Sequence, residues 1–193
     1  DYSSIIGELC PELEHTKSGS PPHARRLPFL RNVITVGFRK KGCMTWDEAK
    51  SRSVNTPEEE LRRRAACVNS HDVCNMQYTS GTTGFPKGVM LTHENIIANL
   101  EYISAYFDMT GVKNICIARP LVHIAVLTGE LLYALCKGLC IHFYEEPFLP
   151  NRLMAFLAER KIDVFCATPT LYASLARCRG RAMPEIKVSA ISG

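Results

Sequence analysis

A chain of 193 residues, 46% hydrophobic and 22% charged, is long enough to bury a real core and has the balance of a globular protein, which excludes a fibre or a disordered chain. The net charge of +4 is small for this length, and Arg25-Arg26, Arg39-Lys40-Lys41 and Arg62-Arg63-Arg64 are interleaved with acids such as Glu58, Glu59 and Glu60, so they read as solvated faces with no nucleic-acid partner. Nine cysteines without C-x-x-C or zinc spacing, most of them in apolar runs (Cys74, Cys116, Cys140, Cys166), read as small hydrophobes of a reducing, cytoplasmic protein with no metal site of their own.

Asp1-Tyr2-Ser3-Ser4 lacks the basic start of a signal peptide. Ser4 to Leu13 is expected as a short helix ended by Pro11, and Lys17 to Pro28 as an exposed Ser/Pro/Gly connection. Leu30 to Val36 reads as a strand closed by Gly37. Thr45-Trp46-Asp47-Glu48 has the spacing of a capping box, and Thr56-Pro57-Glu58-Glu59 repeats it with proline at the first helical position. Trp46 is expected in packing. Residues 1–70 carry no chemical motif and are expected as a peripheral segment.

From His71 onward the pattern is regular. Cys74, Met76 and Tyr78 alternate with Asn75 and Gln77, the period of a half-buried strand. Thr92 can cap a helix with an apolar face of Ile96, Ile97, Leu100, Ile103 and Phe107, closed by Gly111. Strands are then expected at Ile115 to Ala118, Leu139 to Tyr144, Asp163 to Ala167 and Val188 to Ile191. Between them come helices at Leu127 to Leu135, Asn151 to Arg160 and Thr168 to about Arg177. This order predicts an α/β fold, a mostly parallel sheet flanked by helices, with ligands outside the carboxyl ends of its strands. The longest apolar region, Ile115 to Tyr144, is broken by Arg119, His123, Glu130 and Lys137, so no transmembrane segment is expected.

The stretch Thr79-Ser80-Gly81-Thr82-Thr83-Gly84-Phe85-Pro86-Lys87-Gly88 sets three glycines among four hydroxyls and ends beside a lysine. Glycine lets a turn take positive φ and lets backbone N–H groups converge on an anion, while short hydroxyls and a compact ammonium suit a polyphosphate. Pro86 stiffens the loop next to Lys87, and Phe85 reads as a variable position. Most such runs are plain connections. Strand-like flanks at Val73 to Tyr78 and Val89 to Leu91, and the placed lysine, count against that here. A P-loop would need glycine before the lysine and Ser or Thr after it, where this chain has Pro86 and Gly88.

Tyr78 through Gly88 resembles the phosphate loop of the adenylate-forming (AMP-binding) superfamily, which includes acyl-CoA synthetases, luciferases and peptide-synthetase adenylation domains. Pro120-Leu121-Val122-His123 resembles its second motif, beside the acyl chain and the α-phosphate, although Arg119 stands where an apolar residue is common and Gly129 comes late. Thr168-Pro169-Thr170-Leu171-Tyr172 and Val188 to Gly193 resemble later segments of the same domain. The resemblance implies an incomplete α/β AMP/ATP-binding core over residues 71–193, part of an N-terminal domain. The motifs for adenine, ribose and magnesium and the C-terminal catalytic lysine are expected beyond Gly193, so the chain alone is expected to be inactive.

What the family implies is ATP-dependent activation of a carboxylic acid to an acyl-adenylate and then a CoA thioester. A medium- or long-chain fatty acid is the leading substrate, with ATP, Mg2+ and coenzyme A as the other small molecules. Thr79 to Gly88 would hold the polyphosphate, with Lys87 and His123 as the candidate catalytic residues. An adenylation domain for an amino or aryl acid, or a nucleotide-binding piece without turnover, is the alternative.

Overall fold

The computed structural model describes residues 2–79, 84–178 and 184–191 and divides into two units, Asp1–Val68 and Asn69–Gly193. In the first, helix α1 (Tyr2–Leu9) precedes a 3-10 turn, Pro11–His15, where proline occupies the first turn and its missing N–H costs nothing. Strands β1 (Ile34–Thr35) and β2 (Met44–Thr45) pair in parallel. The strand expected over Leu30 to Val36 is thus only two residues long: Leu30 and Val33 pack half-buried on the unit's core outside the pairing, and Val36 is exposed. Thr45 caps α2 (Trp46–Ser51) as expected, its hydroxyl accepting from the Glu48 amide at 3.2 Å while the Glu48 carboxylate accepts from the Thr45 amide at 2.8 Å.

Trp46 is not a packing residue: it opens a helix that buries no side chain and is 51% exposed. In α3 (Glu58–Ala66) the N-cap is Pro57, which has no side-chain acceptor, so Thr56 does not close a second capping box. That helix buries nothing and is laced by Glu58–Arg62, Glu60–Arg63 and Glu60–Arg64 pairs, the solvated face its charges predict. The unit's small core gathers Cys10, Leu13, Ala24 and Cys43. Beside it Gly42 takes φ +75°, and a Cβ there would lie 2.0 Å from the Leu13 carbonyl oxygen.

The second unit opens with an antiparallel hairpin of β3 (Val73–Thr79) and β4 (Lys87–Thr92). The expected alternation is inverted in its burial. Asn75 and Gln77 are half-buried, whereas Met76 and Tyr78 are 52% and 64% exposed. The hairpin is a sheet by itself, so its apolar face has no second layer among the described residues. Nor does the glycine-rich loop leave the parallel sheet; it turns between two antiparallel strands.

Thr92 caps α4 (His93–Tyr106) with Asn95 closing the box. Leu100 is buried and Ile96, Ile103 and Phe107 turn partly inward, while Ile97 is exposed. Strands β5 (Asn114–Ile117), β6 (Cys140–Phe143), β7 (Val164–Ala167) and β8 (Val188–Ile191) then form a parallel sheet in the order β6-β5-β7-β8. Helix α5 (Ile124–Val126), a π turn at Leu127–Leu132 and α6 (Tyr133–Lys137) run in continuation, stopped by Gly138 at φ +66°. Helices α7 (Pro150–Glu159) and α8 (Pro169–Ala176) make the later connections. This is the expected α/β architecture.

Period-two alternation divides the strands between two faces. Cys116, Phe165 and Ala167 pack on Leu153, Leu157 and Leu175 of α7 and α8. Ile115, Val164 and Val188 turn the other way, onto Val112 and Ala134. At the amino end of the sheet, Asp163 accepts from the amides of Lys113 and Asn114, both at 2.9 Å, and pairs with Lys187 at 3.1 Å. All nine cysteines are free. Burial pushes the Cys116 thiol up to about 12 and that of Cys166 up to about 11, so both are inert hydrophobes. Cys74 and Cys140, expected inside, are exposed, on the hairpin and on an edge strand. No helix among the described residues is long and apolar enough to cross a membrane.

Candidate functional site

In the order β6-β5-β7-β8, the chain leaves β5 for one neighbour and returns to the other side of it, so the connections after β5 and β7 diverge. The crevice at such a switch point, outside the carboxyl ends, is where open α/β sheets hold ligands. Arg119, Pro120 and His123 follow β5 there, and Thr168 follows β7. Pro120 and His123 close a turn through a 3.1 Å amide–carbonyl bond, and the His123 carbonyl accepts the amides of Val126 and Leu127 at 2.9 and 3.0 Å. His123 is therefore the N-cap of α5, with its Nδ1 accepting from the Ala125 amide at 3.3 Å. In the neutral ring that bond leaves Nε2 as the N–H donor, on an exposed side chain.

The hairpin meets this turn. Gln77 Nε2 donates to the Val122 carbonyl at 3.3 Å, two residues before the glycine-rich loop begins and one before His123. Thr79 and Lys87 face each other at the mouth of the loop. Gly84 sits at φ +110°, a conformation that requires glycine, and Phe85, Pro86 and Lys87 are exposed. Gly88 lies opposite Tyr78, whose ring would be 3.3 Å from an added Cβ. Ser80, Gly81, Thr82 and Thr83 lie outside the described residues. The structure thus brings Thr79, Gly84, Lys87 and Gly88 together at one hairpin end and joins that hairpin to the His123 turn.

Behind the turn is a cavity of about 560 Å³ between α4, the π turn and the sheet, lined by apolar side chains such as Ile96, Ile103, Ile115 and Val164. That is within the range of small-molecule sites. Its one ion pair went unread in the sequence. Arg119 and Glu130, only 12% and 2% exposed, pair through Nε at 3.1 Å and through Nη2, both onto Glu130 Oε1. Burial pushes the Glu130 carboxyl up further than Arg119 draws it down. A lone acid in the apolar run Leu127 to Leu135, after an arginine at an apolar position, was the available signal. Among the described residues no cluster of three His, Cys, Asp or Glu could hold a metal.

The parallel sheet, its switch point and the cavity over one of its faces define an α/β protein with a pocket of small-molecule size. The chain belongs to the family described as AMP-binding enzyme, whose sequence profile matches residues 15–191. It is 34% identical over 172 residues to YngI of Bacillus subtilis, which carries an acyl-CoA synthetase name, covering 89% of this chain and 31% of that protein. It is 29% identical over 178 residues to the mitochondrial medium-chain acyl-CoA ligase ACSF2 of Bos taurus, covering 89% of this chain and 28% of the relative. Among solved structures it resembles the o-succinylbenzoate CoA synthetase MenE of Bacillus subtilis in complex with ATP and magnesium. There the TM-score is 0.59 and the identity 25%, over 65% of this chain and 26% of that one. The chain therefore spans less than a third of the length of these relatives.

Proposed function

We propose that this chain supplies the phosphate-binding hairpin and one wall of the acyl pocket in an AMP-forming carboxylate–CoA ligase. The observation that carries the reading is the Gln77–Val122 bond, which joins the glycine-rich hairpin to the His123 turn next to an apolar cavity. Thr79 through Gly88 would hold the β- and γ-phosphates of ATP, with Lys87 supplying the charge; among the described residues no acid pairs with it. His123 would present its Nε2–H beside the reacting carboxylate. Attack at phosphorus spreads negative charge over non-bridging oxygens, and fixed N–H donors and an ammonium stabilise it without reorganising.

The described residues of the loop fit a polyphosphate: a lysine and a positive-φ glycine at the end of a hairpin. Mg2+ would draw most of its ligands from the phosphates and waters, with a loop hydroxyl assisting, and would neutralise phosphate charge. The cavity's apolar lining favours a medium- or long-chain fatty acid, with coenzyme A as acceptor. Residues 71–193 are the nucleotide-binding core of this reading and residues 1–70 its periphery. The proposed compartment is the cytoplasm, where nine free thiols are stable.

The test is ATP–pyrophosphate exchange by the complete protein carrying this chain, against a panel of fatty, aryl and amino acids. Exchange driven best by fatty acids and lowered about 10²–10³-fold in Lys87→Ala is the expected result. Exchange driven only by amino acids, or unchanged in Lys87→Ala, would overturn it.

A further inference from the structure

Two residues that line the cavity each bury a polar atom without a partner. Glu130 and Tyr133 stand three residues apart on the continuous helical segment, a spacing that puts both side chains on one side, and both line the cavity. Glu130 Oε2 and Tyr133 Oη are each buried without a hydrogen-bond partner. Arg119 does not satisfy Oε2, since both of its bonds to Glu130 fall on Oε1. A buried acceptor and a buried hydroxyl left unpaired forfeit their hydration with nothing in return, and an occupant made only of methylenes would seal in that loss.

We propose that this cavity selects a carboxylic acid whose chain carries a hydroxyl group, donating its proton to Glu130 Oε2 and accepting one from Tyr133 Oη. A hydroxyl is the smallest group that offers a donor and acceptor lone pairs at one atom, which matches a carboxylate oxygen and a phenol on one side of a helical segment. An apolar lining of Ile96, Ile103 and Val164 around these two atoms suits the rest of an aliphatic chain. Discrimination follows from the analogue that lacks the hydroxyl, because it leaves the site's own polar atoms unpaired. The proposal rests on the acyl-pocket reading above.

The experiment compares ATP–pyrophosphate exchange by the complete protein for acids of equal length with and without a hydroxyl, the hydroxyl moved stepwise along the chain. Calorimetric binding of the same acids is measured in parallel. The expected result is a preference of at least about tenfold in kcat/KM for one hydroxyl position, falling toward parity in Tyr133→Phe and in Glu130→Gln. Tyr133→Phe removes one oxygen and keeps the ring, so it decides the matter if Glu130→Gln fails to fold. Equal use of the two acids would overturn the proposal and point to a bound water on the two atoms, while leaving the acyl pocket standing. A preference that survives both substitutions, or one for an amide-bearing acid instead, would also overturn it. Exchange with none of the acids, in a protein that still binds ATP, would remove the acyl-pocket reading and this proposal with it.

Discussion

Replacing Asp163 by alanine should loosen the amino edge of the sheet by an amount that the geometry allows to be estimated. Its carboxylate takes the amides of Lys113 and Asn114 on one oxygen and Lys187 on the other. Hydrogen bonds to a charged acceptor contribute about 1.5–3 kcal/mol each, reduced here because the amide of exposed Lys113 can turn to water. The half-exposed Lys187 adds at most about 1 kcal/mol. The expected loss is therefore about 2–4 kcal/mol for Asp163→Ala and less for Asp163→Asn, which keeps an oxygen for the two amides.

Burial opposes the charge on Asp163, but the two amides and Lys187 outweigh it and hold the carboxyl below its ordinary value of 3.8. The unfolded chain then binds more protons, so the contribution is complete above the unfolded value and is lost as pH falls through the folded one. The difference between parent and variant should hold at neutral pH and close below pH 3.8. Hydrogen exchange at the Lys113 and Asn114 amides, with urea unfolding followed by circular dichroism, measures it. Fluorescence of Trp46 would not serve, since that residue belongs to the first unit. A loss under about 0.5 kcal/mol, the size of an ordinary surface change, or a difference that persists into strong acid would refute the reasoning.

Lys87→Ala should lower acyl-adenylate formation by about 10²–10³-fold, the cost of removing one charge stabiliser, while thermal unfolding barely moves because the side chain is exposed. His123→Ala should change rate and acyl chain-length preference together in pyrophosphate exchange, with about 0.5–1 kcal/mol lost at the α5 cap; a melting shift without a kinetic one would remove it from the site. Leu157→Ala, at a fully buried position between α7 and β7, should cost about 2–5 kcal/mol in urea unfolding, and less than 1 would mean that the α7 face is loosely packed.

Much of the second unit was legible because its signals are local. Thr92 and Thr168 mark helix starts by side-chain chemistry within a few residues, and the apolar runs of β5 and β7 are the signature of strands covered on both faces. The misreadings occurred where burial depends on a distant partner. Leu30 to Val36 has strand composition but finds only Met44 and Thr45 to pair with. Met76 and Tyr78 alternate correctly, yet the face they share has nothing against it among the described residues. Thr56 failed as a cap because the helix starts one residue later than the box requires.

The candidate site divides along the same line. A glycine that needs positive φ, hydroxyls and a lysine are readable in Thr79 to Gly88 because a phosphate loop is built from neighbours in sequence. Where that loop sits is not, since it depends on Gln77 reaching Val122 across 45 residues. Arg119 and Glu130 are the sharper case: in the sequence they only interrupt an apolar region and argue against a membrane span. Folded, β5 delivers one and the π turn the other to the same wall, and each makes the burial of the other tolerable. Because both Arg119 bonds to Glu130 fall on one carboxylate oxygen, that compensation stops halfway and leaves Oε2 without a donor. On the hydroxy-acid reading proposed above, that unfinished half would turn an apolar cavity from a volume filter into one that reads a functional group on the acyl chain.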